Sequence, residues 1–437
     1  MNYKVVGGKK LSGSVQTNTS KNAAVVLLAA SLLNRGTTTL KRMPKIEEVE
    51  RLIEFMQSIG VSIERNLPAV GGEMRITPPE TFDFSHPNVE SAERTRSIAM
   101  FIAPLAHRLA SFDLPAPSGC DLGKRSLGTH IDALAKLGIE VAGDEKTHTY
   151  HVERKNMQPA EIIMYEASDT GTENVLMAAA KIPGVTTIKF ASANYMVQDL
   201  CFFLEKAGVK IEGIGTSTLV VHGVEDINTD LAMSPGEDPI ESMFFIALAA
   251  TTKSELTVTR CPIDFLELEL AILEHMGLRD TRGPAYTAEN GRTMLRDITI
   301  KPSELFAPPE KIAPRPYPGI NIDNLPYFVP VATQARGETM IHDWVYEIRS
   351  SYYLEMSKLG ADVQRIDQHR VLIKGPTPLH GANIKAPSAF RPASILLIGM
   401  LAAEGESTLY DVYPINRGYE RLHERLTKLG ASVEAVE

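Results

Sequence analysis

A helix-like segment that ends in glycine and continues into a short alternating strand recurs six times along this chain. The glycines are spaced 78, 70, 69, 83 and 70 residues apart, at Gly60, Gly138, Gly208, Gly277, Gly360 and Gly430. The pattern predicts a helix closed by a left-handed glycine, often with a lysine in the last turn, where the helix dipole favours a cation. One such match is common. Six at a near-constant period indicate an internal repeat and limit the fold to an array of similar units.

Each repeat also contains an earlier segment that is apolar nearly all round, as expected of a buried helix. These segments are 23–33, 97–106, 175–180, 242–250, 325–332 and 393–403. β-rich runs follow most of them, at 35–40, 184–188, 254–258, 337–341 and 405–409. The order strand, helix, strand, helix, strand, strand predicts an α/β fold of six βαβαββ units. Sheets would surround buried helices, with three units in each of two lobes and a break near residues 233–237.

The composition narrows the classes of function. A chain of 437 residues exceeds one ordinary core, so two domains are expected. The net charge of −9 gives no general basic surface for nucleic acid. The three cysteines form neither a disulfide framework nor a zinc spacing and favour a reducing compartment. With no apolar signal core and no run of the roughly 20 apolar residues that span a bilayer, we expect a cytoplasmic protein without a membrane partner.

Charged residues stand where the predicted buried helices begin. Lys21, Arg96 and Arg391 are cations at such positions. A cation beside the positive end of a helix is unfavourable unless an anion binds there. These residues therefore predict a cleft for a phosphate or carboxylate. At other helix starts, Glu173 and Glu241 are interpreted as helix caps, and Ser20 as the cap before Lys21.

Two further residues are candidates for chemistry. Asp323 opens the fifth buried helix and fits either a general base against a substrate hydroxyl or a helix cap. Cys120 lies in the proline- and glycine-rich stretch 114–130, with Lys124 and Arg125 close behind. Neighbouring cations lower the pKa of a thiol, so Cys120 is either a reactive thiol or an incidental turn residue.

The last repeat adds a cation in a turn. Arg417 precedes Gly418, which suits close approach of the backbone to an anion. Arg421 and Arg425 are expected on a solvated helix face, whereas Arg349 is expected to project toward the anion as Arg417 does.

These motifs together resemble the enolpyruvyl transferase family over essentially the whole chain. The motifs are Lys-Asn-Ala-Ala at 21–24, Gly-Cys at 119–120 followed by Arg125, Asp323, and Asn-Arg-Gly-Tyr-Glu-Arg at 416–421. The resemblance implies a two-lobed inside-out α/β barrel, with residues 21–235 in one lobe and 1–20 plus 236–437 in the other. It also implies transfer of enolpyruvate from phosphoenolpyruvate to the 3-hydroxyl of UDP-N-acetylglucosamine with release of phosphate, the first committed step of peptidoglycan synthesis. Neither a metal nor a cofactor is implied.

The resemblance also implies a role for each matching residue. Phosphoenolpyruvate would be held by Lys21, Asn22, Arg125 and Arg417. The nucleotide sugar would contact Asn22, Arg96, Asp323 and Val345, with Arg349 and Arg391 supporting the closed cleft. Cys120 would protonate the methylene carbon and be the residue that fosfomycin alkylates. Asp323 would accept the proton of the acceptor hydroxyl, and Lys21 would assist catalysis.

The chain departs from the family pattern on the nucleotide side. The family's Arg-Pro-Val-Asp-Leu-His is here Arg-Ser-Leu-Gly-Thr-His at 125–130, and Glu166, followed by Asp169, replaces a basic or neutral residue. Ala389, Ile348 and Ile322 replace polar residues. Two alternatives therefore stay open. One is an enolpyruvyl transferase with another nucleotide or sugar acceptor, and the other is a two-lobed protein that binds anions without turnover.

Overall fold

The computed structural model describes residues 1–66, 72–116, 127–144 and 146–437, with Arg96 described by its backbone alone. The strands are β1 (Asn2–Val6), β2 (Ser12–Gln16), β3 (Thr38–Met43), β4 (Ser62–Asn66), β5 (Gly72–Thr77), β6 (Ser111–Pro115), β7 (Ile139–Asp144), β8 (Thr149–Arg154), β9 (Glu161–Ile163), β10 (Gly184–Lys189), β11 (Lys210–Glu212), β12 (Thr218–Gly223), β13 (Leu231–Met233), β14 (Glu255–Cys261), β15 (Arg279–Arg282), β16 (Tyr286–Thr287), β17 (Met294–Lys301), β18 (Leu305–Phe306), β19 (Ala335–His342), β20 (Asp362–Arg365), β21 (Arg370–Gly375), β22 (Asn383–Lys385), β23 (Glu406–Tyr410) and β24 (Ser432–Val436).

The α-helices lie between these strands. They are α1 (Lys21–Ser31), α2 (Glu47–Ser58), α3 (Val89–Glu93), α4 (Ile102–Ala106), α5 (Gly128–Lys136), α6 (Asp169–Ala180), α7 (Tyr195–Lys206), α8 (Pro239–Thr252), α9 (Glu267–His275), α10 (Phe328–Thr333), α11 (Arg349–Tyr353), α12 (Phe390–Ala402), α13 (Tyr413–Asn416) and α14 (Leu422–Lys428). Short 3-10 helices cover Arg96–Phe101, Ile263–Phe265, Leu325–Tyr327 and Leu354–Leu359.

The predicted apolar helices form the interior. The structure places α1, α4, α6, α8, α10 and α12 on the six predicted segments, and nearly every residue of these helices is buried. In the fully enclosed α8, all 14 residues from Pro239 to Thr252 are buried. Two of the segments begin as a 3-10 helix before becoming α-helical. The predictions of burial are confirmed.

The strands form six sheets in the described residues. Their orders are β13-β3-β5-β4, β6-β8-β7, β11-β12-β10-β9, β15-β17-β14-β2, β18-β19-β21-β20 and β22-β23-β1-β24, with β16 paired to β17. In five of them one edge strand runs parallel to its neighbour and the other pairs are antiparallel, giving a mixed α/β fold. The sheets pack against the buried helices, for example β12 on α6 and β14 on α8.

Three sheets contain strands from distant parts of the chain. β13 joins β3 in parallel, and β2 joins β14 in parallel. β1 lies between β23 and β24, antiparallel to both. The chain therefore crosses twice from one part of the fold to the other, once just before α1 and once just before α8. Thr19 pairs with Glu237 where these two segments meet.

The repeated glycines adopt the predicted left-handed conformation. Their φ angles run from 83° at Gly138 to 97° at Gly208, and the other four lie between these values. A side chain is strained at such angles. At Gly138 a Cβ atom would also approach the carbonyl oxygen of Asn156 to 2.4 Å, so both the backbone angle and the lack of space exclude any other residue there. None of the helices within the described ranges is both long and apolar enough to cross a membrane.

Candidate active site

The start of α1 presents a lysine and an asparagine next to a satisfied helix cap. The Ser20 hydroxyl accepts a hydrogen bond from the Ala23 amide at 3.2 Å, which confirms the predicted cap. Ser20 thus fixes the first turn, and Lys21 and Asn22 stay at the end of a helix that is otherwise buried. The Asn22 side chain donates to the Tyr195 hydroxyl at 3.2 Å, which ties this turn to the start of α7.

Glu48 gathers the cations of this region. Its side chain is 5% exposed and accepts hydrogen bonds from the hydroxyls of Ser97, at 2.7 Å, and Thr95. Arg417 lies with Nε 3.6 Å from Glu48 Oε2. Burial acts to raise the pKa of Glu48, but the charges of Lys21 and Arg417 and the two hydroxyls outweigh it and lower that pKa. Glu48 therefore remains ionised and holds two cations from opposite ends of the chain on one site.

Sequence reasoning missed Glu48, although a signal was present. Glu48, Leu52 and Phe55 follow the i, i+4, i+7 spacing of one face of α2, and the structure buries that face. An acid on an apolar face needs a partner. The same region receives a second contact from the end of the chain, because the Lys45 amide donates to Glu420 Oε2 at 3.1 Å.

Asp323 lies between two buried arginines. Its Oδ2 is 3.6 Å from Arg391 Nη2, and its Oδ1 is 3.8 Å from Arg349 Nη1. The side chain of Asp323 is 26% exposed, so it borders both the protein interior and solvent. Its amide donates to Asn321 Oδ1 at 2.9 Å, which fixes the backbone before the buried helix. A partly exposed carboxylate held by its backbone suits proton transfer.

Arg391 and Arg349 are held by aromatic rings and one carboxylate. Arg391 donates to the hydroxyls of Tyr419, at 3.3 Å, and Tyr327, at 3.5 Å, and lies 4.2 Å from the centre of the Phe390 ring. Burial acts to lower the pKa of Arg391, but Tyr327 and Asp323 outweigh it, so that pKa is raised.

Arg349 makes a two-pronged contact with Asp343, at 2.5 and 2.9 Å. Both arginines are thus fixed cations at the edge of the site.

Tyr195 connects the two groups of residues. Its hydroxyl accepts a hydrogen bond from Asn22. Burial, and then the negative charges of the nearby Asp238 and Asp323, raise the pKa of Tyr195.

The structure thus brings several of the predicted site residues into one region: Lys21, Asn22, Asp323, Arg349, Arg391 and Arg417. Cys120 and Arg125 lie outside the described residues, as does the side chain of Arg96. Val345 is 44% exposed in the segment between β19 and α11.

The side of this region formed by α6 is acidic. Asp169, the first residue of α6, accepts from the Ser192 hydroxyl at 2.5 Å and from Asn194 Nδ2 at 3.2 Å. Burial and the charge of Asp323 raise the pKa of Asp169. One turn later, the pKa of Glu173 is raised well above its usual value by burial and by Asp169, and its Oε1 has no hydrogen-bond partner.

Two helix caps and one surface arginine were wrongly interpreted from the sequence. Glu173 does not cap α6, because Ser168 does so through the Gly171 amide. Likewise Asp238, not Glu241, caps α8.

Arg425 is not on a solvated face. Its side chain is 14% exposed and binds Glu241 Oε1 at 2.7 Å, whereas Arg421 is exposed and pairs with Glu424. Arg425 is largely buried because it pairs with Glu241, a buried acid of α8.

The remaining described groups show no metal or thiol chemistry. Within the described ranges, no three His, Cys, Asp or Glu residues are grouped to hold a metal ion. Cys201 and Cys261 are buried free thiols, and burial raises the pKa of both, to about 12 for Cys261. Buried thiols of raised pKa are unreactive.

Residues 5–426 match the family described as EPSP synthase (3-phosphoshikimate 1-carboxyvinyltransferase). The chain belongs to this enolpyruvyl transferase family. It is similar to the UDP-N-acetylglucosamine 1-carboxyvinyltransferases of Bradyrhizobium diazoefficiens and Treponema denticola. The first is 31% identical over 443 residues, covering 99% of this chain and 98% of that protein. The second is 32% identical over 441 residues, covering 100% and 99%.

Solved structures share the fold of this family member. The enolpyruvyl transferase NikO from Streptomyces tendae aligns with a TM-score of 0.85 at 22% identity, over 99% of this chain and 98% of that one. An EPSP synthase from Acinetobacter baumannii aligns with a TM-score of 0.75 at 17% identity, over the whole of both chains. The family resemblance expected from the sequence motifs is confirmed.

Proposed function

We propose that this chain transfers enolpyruvate from phosphoenolpyruvate to the 3-hydroxyl of UDP-N-acetylglucosamine, releasing phosphate. The observation that carries the proposal is the convergence of Lys21 and Arg417 on Glu48, close to Asp323 and its two arginines. Full-length similarity to proteins named for this reaction supports it. The product would enter peptidoglycan synthesis in the cytoplasm.

The donor would bind at the cationic side. Phosphoenolpyruvate carries a phosphate and a carboxylate, and a helix start flanked by Lys21 and Arg417 suits such an anion. In this proposal Asn22 and Arg125 complete the contacts to phosphoenolpyruvate. Glu48 is a positioning residue, because its fixed negative charge keeps Lys21 and Arg417 pointing at one place before the donor arrives.

The proton transfers would be divided between Cys120 and Asp323. Cys120 gives its proton to the methylene carbon, which leaves positive charge on the neighbouring carbon for the acceptor hydroxyl to attack. Phosphate then leaves that carbon, and the new methyl group returns a proton to the Cys120 thiolate, which restores the double bond. Asp323 takes the hydroxyl proton, and Arg349 and Arg391 hold that carboxylate in place from the interior. Asn22, Arg96 and Val345 would contact the nucleotide sugar.

The fold would serve this reaction as two lobes around a cleft. We assign residues 21–235 to one lobe and 1–20 plus 236–437 to the other, each an inside-out barrel of three βαβαββ units. The shared strand order of the mixed sheets supports the repeat, and the entry of β1 and β2 into sheets of the second lobe supports the boundary.

The direct test measures phosphate release from phosphoenolpyruvate in the presence of UDP-N-acetylglucosamine. We expect acceptor-dependent release that Cys120→Ala abolishes, together with fosfomycin labelling of Cys120 alone. Cys201 and Cys261 serve as internal controls in the same peptide map, since both are buried. Full activity of folded Cys120→Ala, or labelling of the buried thiols, would contradict the assignment.

A second candidate is the same transfer to another nucleotide or sugar. It is favoured by the acids at the start of α6, Asp169 and the exposed Glu166. Phosphate release only with a different acceptor would identify it. If phosphate is released with none of the acceptors, the protein would instead be a two-lobed anion-binding protein without turnover, an alternative that the presence of both Cys120 and Asp323 disfavours.

A further inference from the structure

Glu237 lies where the two segments that connect the proposed lobes meet. Its backbone pairs with that of Thr19, and the neighbouring Ser20 amide donates to the Gly236 carbonyl oxygen at 2.8 Å. The side chain of Glu237 is fully buried, although it carries a carboxylate. A buried carboxylate is tolerated only where cations or hydrogen-bond donors meet it. Whatever binds Glu237 therefore fixes both connecting segments at once.

Two arginines from corresponding strands of two sheets bind this carboxylate. Arg42 lies in β3 and Arg260 in β14, and each of these strands has a parallel edge strand on one side and an antiparallel partner on the other. Both arginines stand where the register of the antiparallel pairing shifts, and both have a left-handed backbone, with φ angles of 53° and 58°.

Both arginines reach the same oxygen atom. Arg42 Nη1 lies 2.6 Å from Glu237 Oε1, and Arg260 reaches that oxygen with Nε at 2.8 Å and with Nη2 at 2.5 Å. In the proposed division, β3 belongs to the lobe of residues 21–235 and β14 to the other lobe. One buried carboxylate thus joins a cation from each lobe, and we call these three residues the joint.

The joint is connected to the candidate site through both segments. The Thr19 hydroxyl donates to the Arg42 carbonyl oxygen at 2.6 Å, and Ser20 then caps α1, which begins with Lys21. On the other segment, Asp238 follows the joint directly and caps α8, against which α10 and α12 pack. A displacement at the joint would therefore move the first turn of α1 relative to the helices that carry the other half of the site.

We infer that Glu237 is a positioning residue that holds Arg42 and Arg260 together and so sets the relative position of the two lobes. The approach of Arg417 to Lys21 and Glu48 depends on that position, because Arg417 belongs to the other lobe. The inference rests on the proposed function for the identity of this site.

The charge of Glu237 should affect substrate binding more than the chemical step. Without it, Arg42 and Arg260 would repel each other across the joint, and the arrangement in which the site is complete would be less populated. Each substrate would then use part of its binding free energy to restore that arrangement. KM should rise, whereas kcat, which is measured with substrates bound, should change little.

The experiment compares Glu237→Gln, which keeps the size of the side chain and removes its charge, with the matched control Glu289→Gln. Glu289 Oε1 lies 3.6 Å from Arg42 and 3.8 Å from Arg260, but its side chain is 50% exposed, and exposed ion pairs contribute little. The double variant Glu237→Gln/Arg260→Gln removes the repulsion together with the negative charge.

Two measurements separate the joint from the reaction. Phosphate release gives kcat and KM for phosphoenolpyruvate with the acceptor that supports turnover. Hydrogen–deuterium exchange of the backbone amides of residues 17–21 and 235–239, in the protein without substrates, reports on the two connecting segments themselves. Thermal unfolding checks that each variant is folded.

We expect Glu237→Gln to raise KM about tenfold with kcat within about twofold, and to speed exchange in both segments about tenfold. The double variant should recover part of the lost KM, because two charges that repel each other act together rather than independently. Glu289→Gln should stay within about twofold of the native protein.

A folded Glu237→Gln that matches the native protein in KM and in exchange overturns the inference. A double variant with a higher KM than Glu237→Gln also overturns it, because the effect would then come from lost packing rather than from charge. If Glu237→Gln does not fold, Arg42→Gln, which leaves the pair of Glu237 and Arg260, should raise KM about threefold, and an unchanged KM overturns the inference. Faster exchange in Glu237→Gln, when the native protein releases phosphate with no acceptor, supports the joint and overturns the proposed reaction instead.

Discussion

Glu48 and Glu173 are both buried near the start of a helix, and their surroundings have opposite effects. Glu48 meets Lys21, Arg417 and two hydroxyls, and its pKa is lowered. For Glu173, burial and the negative charge of Asp169 raise the pKa. Burial alone therefore does not decide the charge of a carboxylate, because the partners do. The comparison divides the candidate site into a cationic donor side and an acidic acceptor side.

Arg417→Ala tests the cationic side and has the largest expected effect. Without this guanidinium, the developing charge on the transferred group loses a fixed partner. We expect kcat/KM for phosphoenolpyruvate to fall about 100-fold or more. Phosphate-release kinetics measure it.

Arg421→Ala is the control for Arg417→Ala, since Arg421 is an exposed arginine of the same segment that pairs with Glu424. It should stay within about twofold of the native rate. If the two variants behave alike, the donor side is wrongly placed.

Glu48→Gln tests, through the free energy of unfolding, whether the pKa of Glu48 is lowered while that of Glu173 is raised. It removes an ionised acceptor of two hydroxyl hydrogen bonds, so we expect a loss of about 1–3 kcal/mol in urea unfolding at pH 7. Because the native pKa of Glu48 is lowered, its ionised form stabilises the fold above the unfolded value of about 4.3. The loss should shrink as the pH falls through the native pKa. A deficit independent of pH would show that Glu48 is not held ionised.

Glu173→Gln should show the opposite trend. A raised native pKa stabilises the fold at low pH, and this contribution disappears as the pH rises above the unfolded value of about 4.3. Relative to the native protein, Glu173→Gln should therefore become more stable between pH 5 and pH 8. Urea unfolding across that range measures the trend, and a falling relative stability would contradict the assigned environment.

The smallest expected effect comes from the two helix caps. Ser20→Ala and Ser168→Ala each remove a side-chain acceptor at a helix start, at a cost of about 1 kcal/mol in unfolding free energy. Their kinetic effects should differ. Ser20→Ala should raise KM for phosphoenolpyruvate, and Ser168→Ala should raise KM for the acceptor. If each variant changed the KM for phosphoenolpyruvate and the KM for the acceptor equally, the division into a donor side and an acceptor side would be contradicted.

Local patterns predicted the framework of this fold well. The buried helices follow from runs of apolar residues, and the left-handed glycines follow from their place after a helix. Both depend on neighbours in sequence, so no knowledge of the packing is needed. The caps of α6 and α8 carried a local signal too, since Ser168 and Asp238 precede the first turn. The error came from taking the first acid beside the apolar run as the cap.

The site depended on contacts that no local pattern contains. Glu48 acquires its role from Arg417, and Arg425 is buried because it meets Glu241, which lies in α8. These pairs form only when distant parts of the chain meet. Asp169 was visible as a departure from the family motif. Its attachment to Asp323 through Asn194 and Asn321 appears only in three dimensions.

The position of β1 has a consequence for how the protein is made. Tyr3 pairs with Leu409 on one side and with Ala435 on the other, so this strand lies inside a sheet whose other members are translated last. At about 5–20 residues per second, the ribosome needs roughly 20–80 s to supply them. Throughout that interval β1 has two unsatisfied edges, and a nascent chain stalled before β23 would expose a strand open to aggregation.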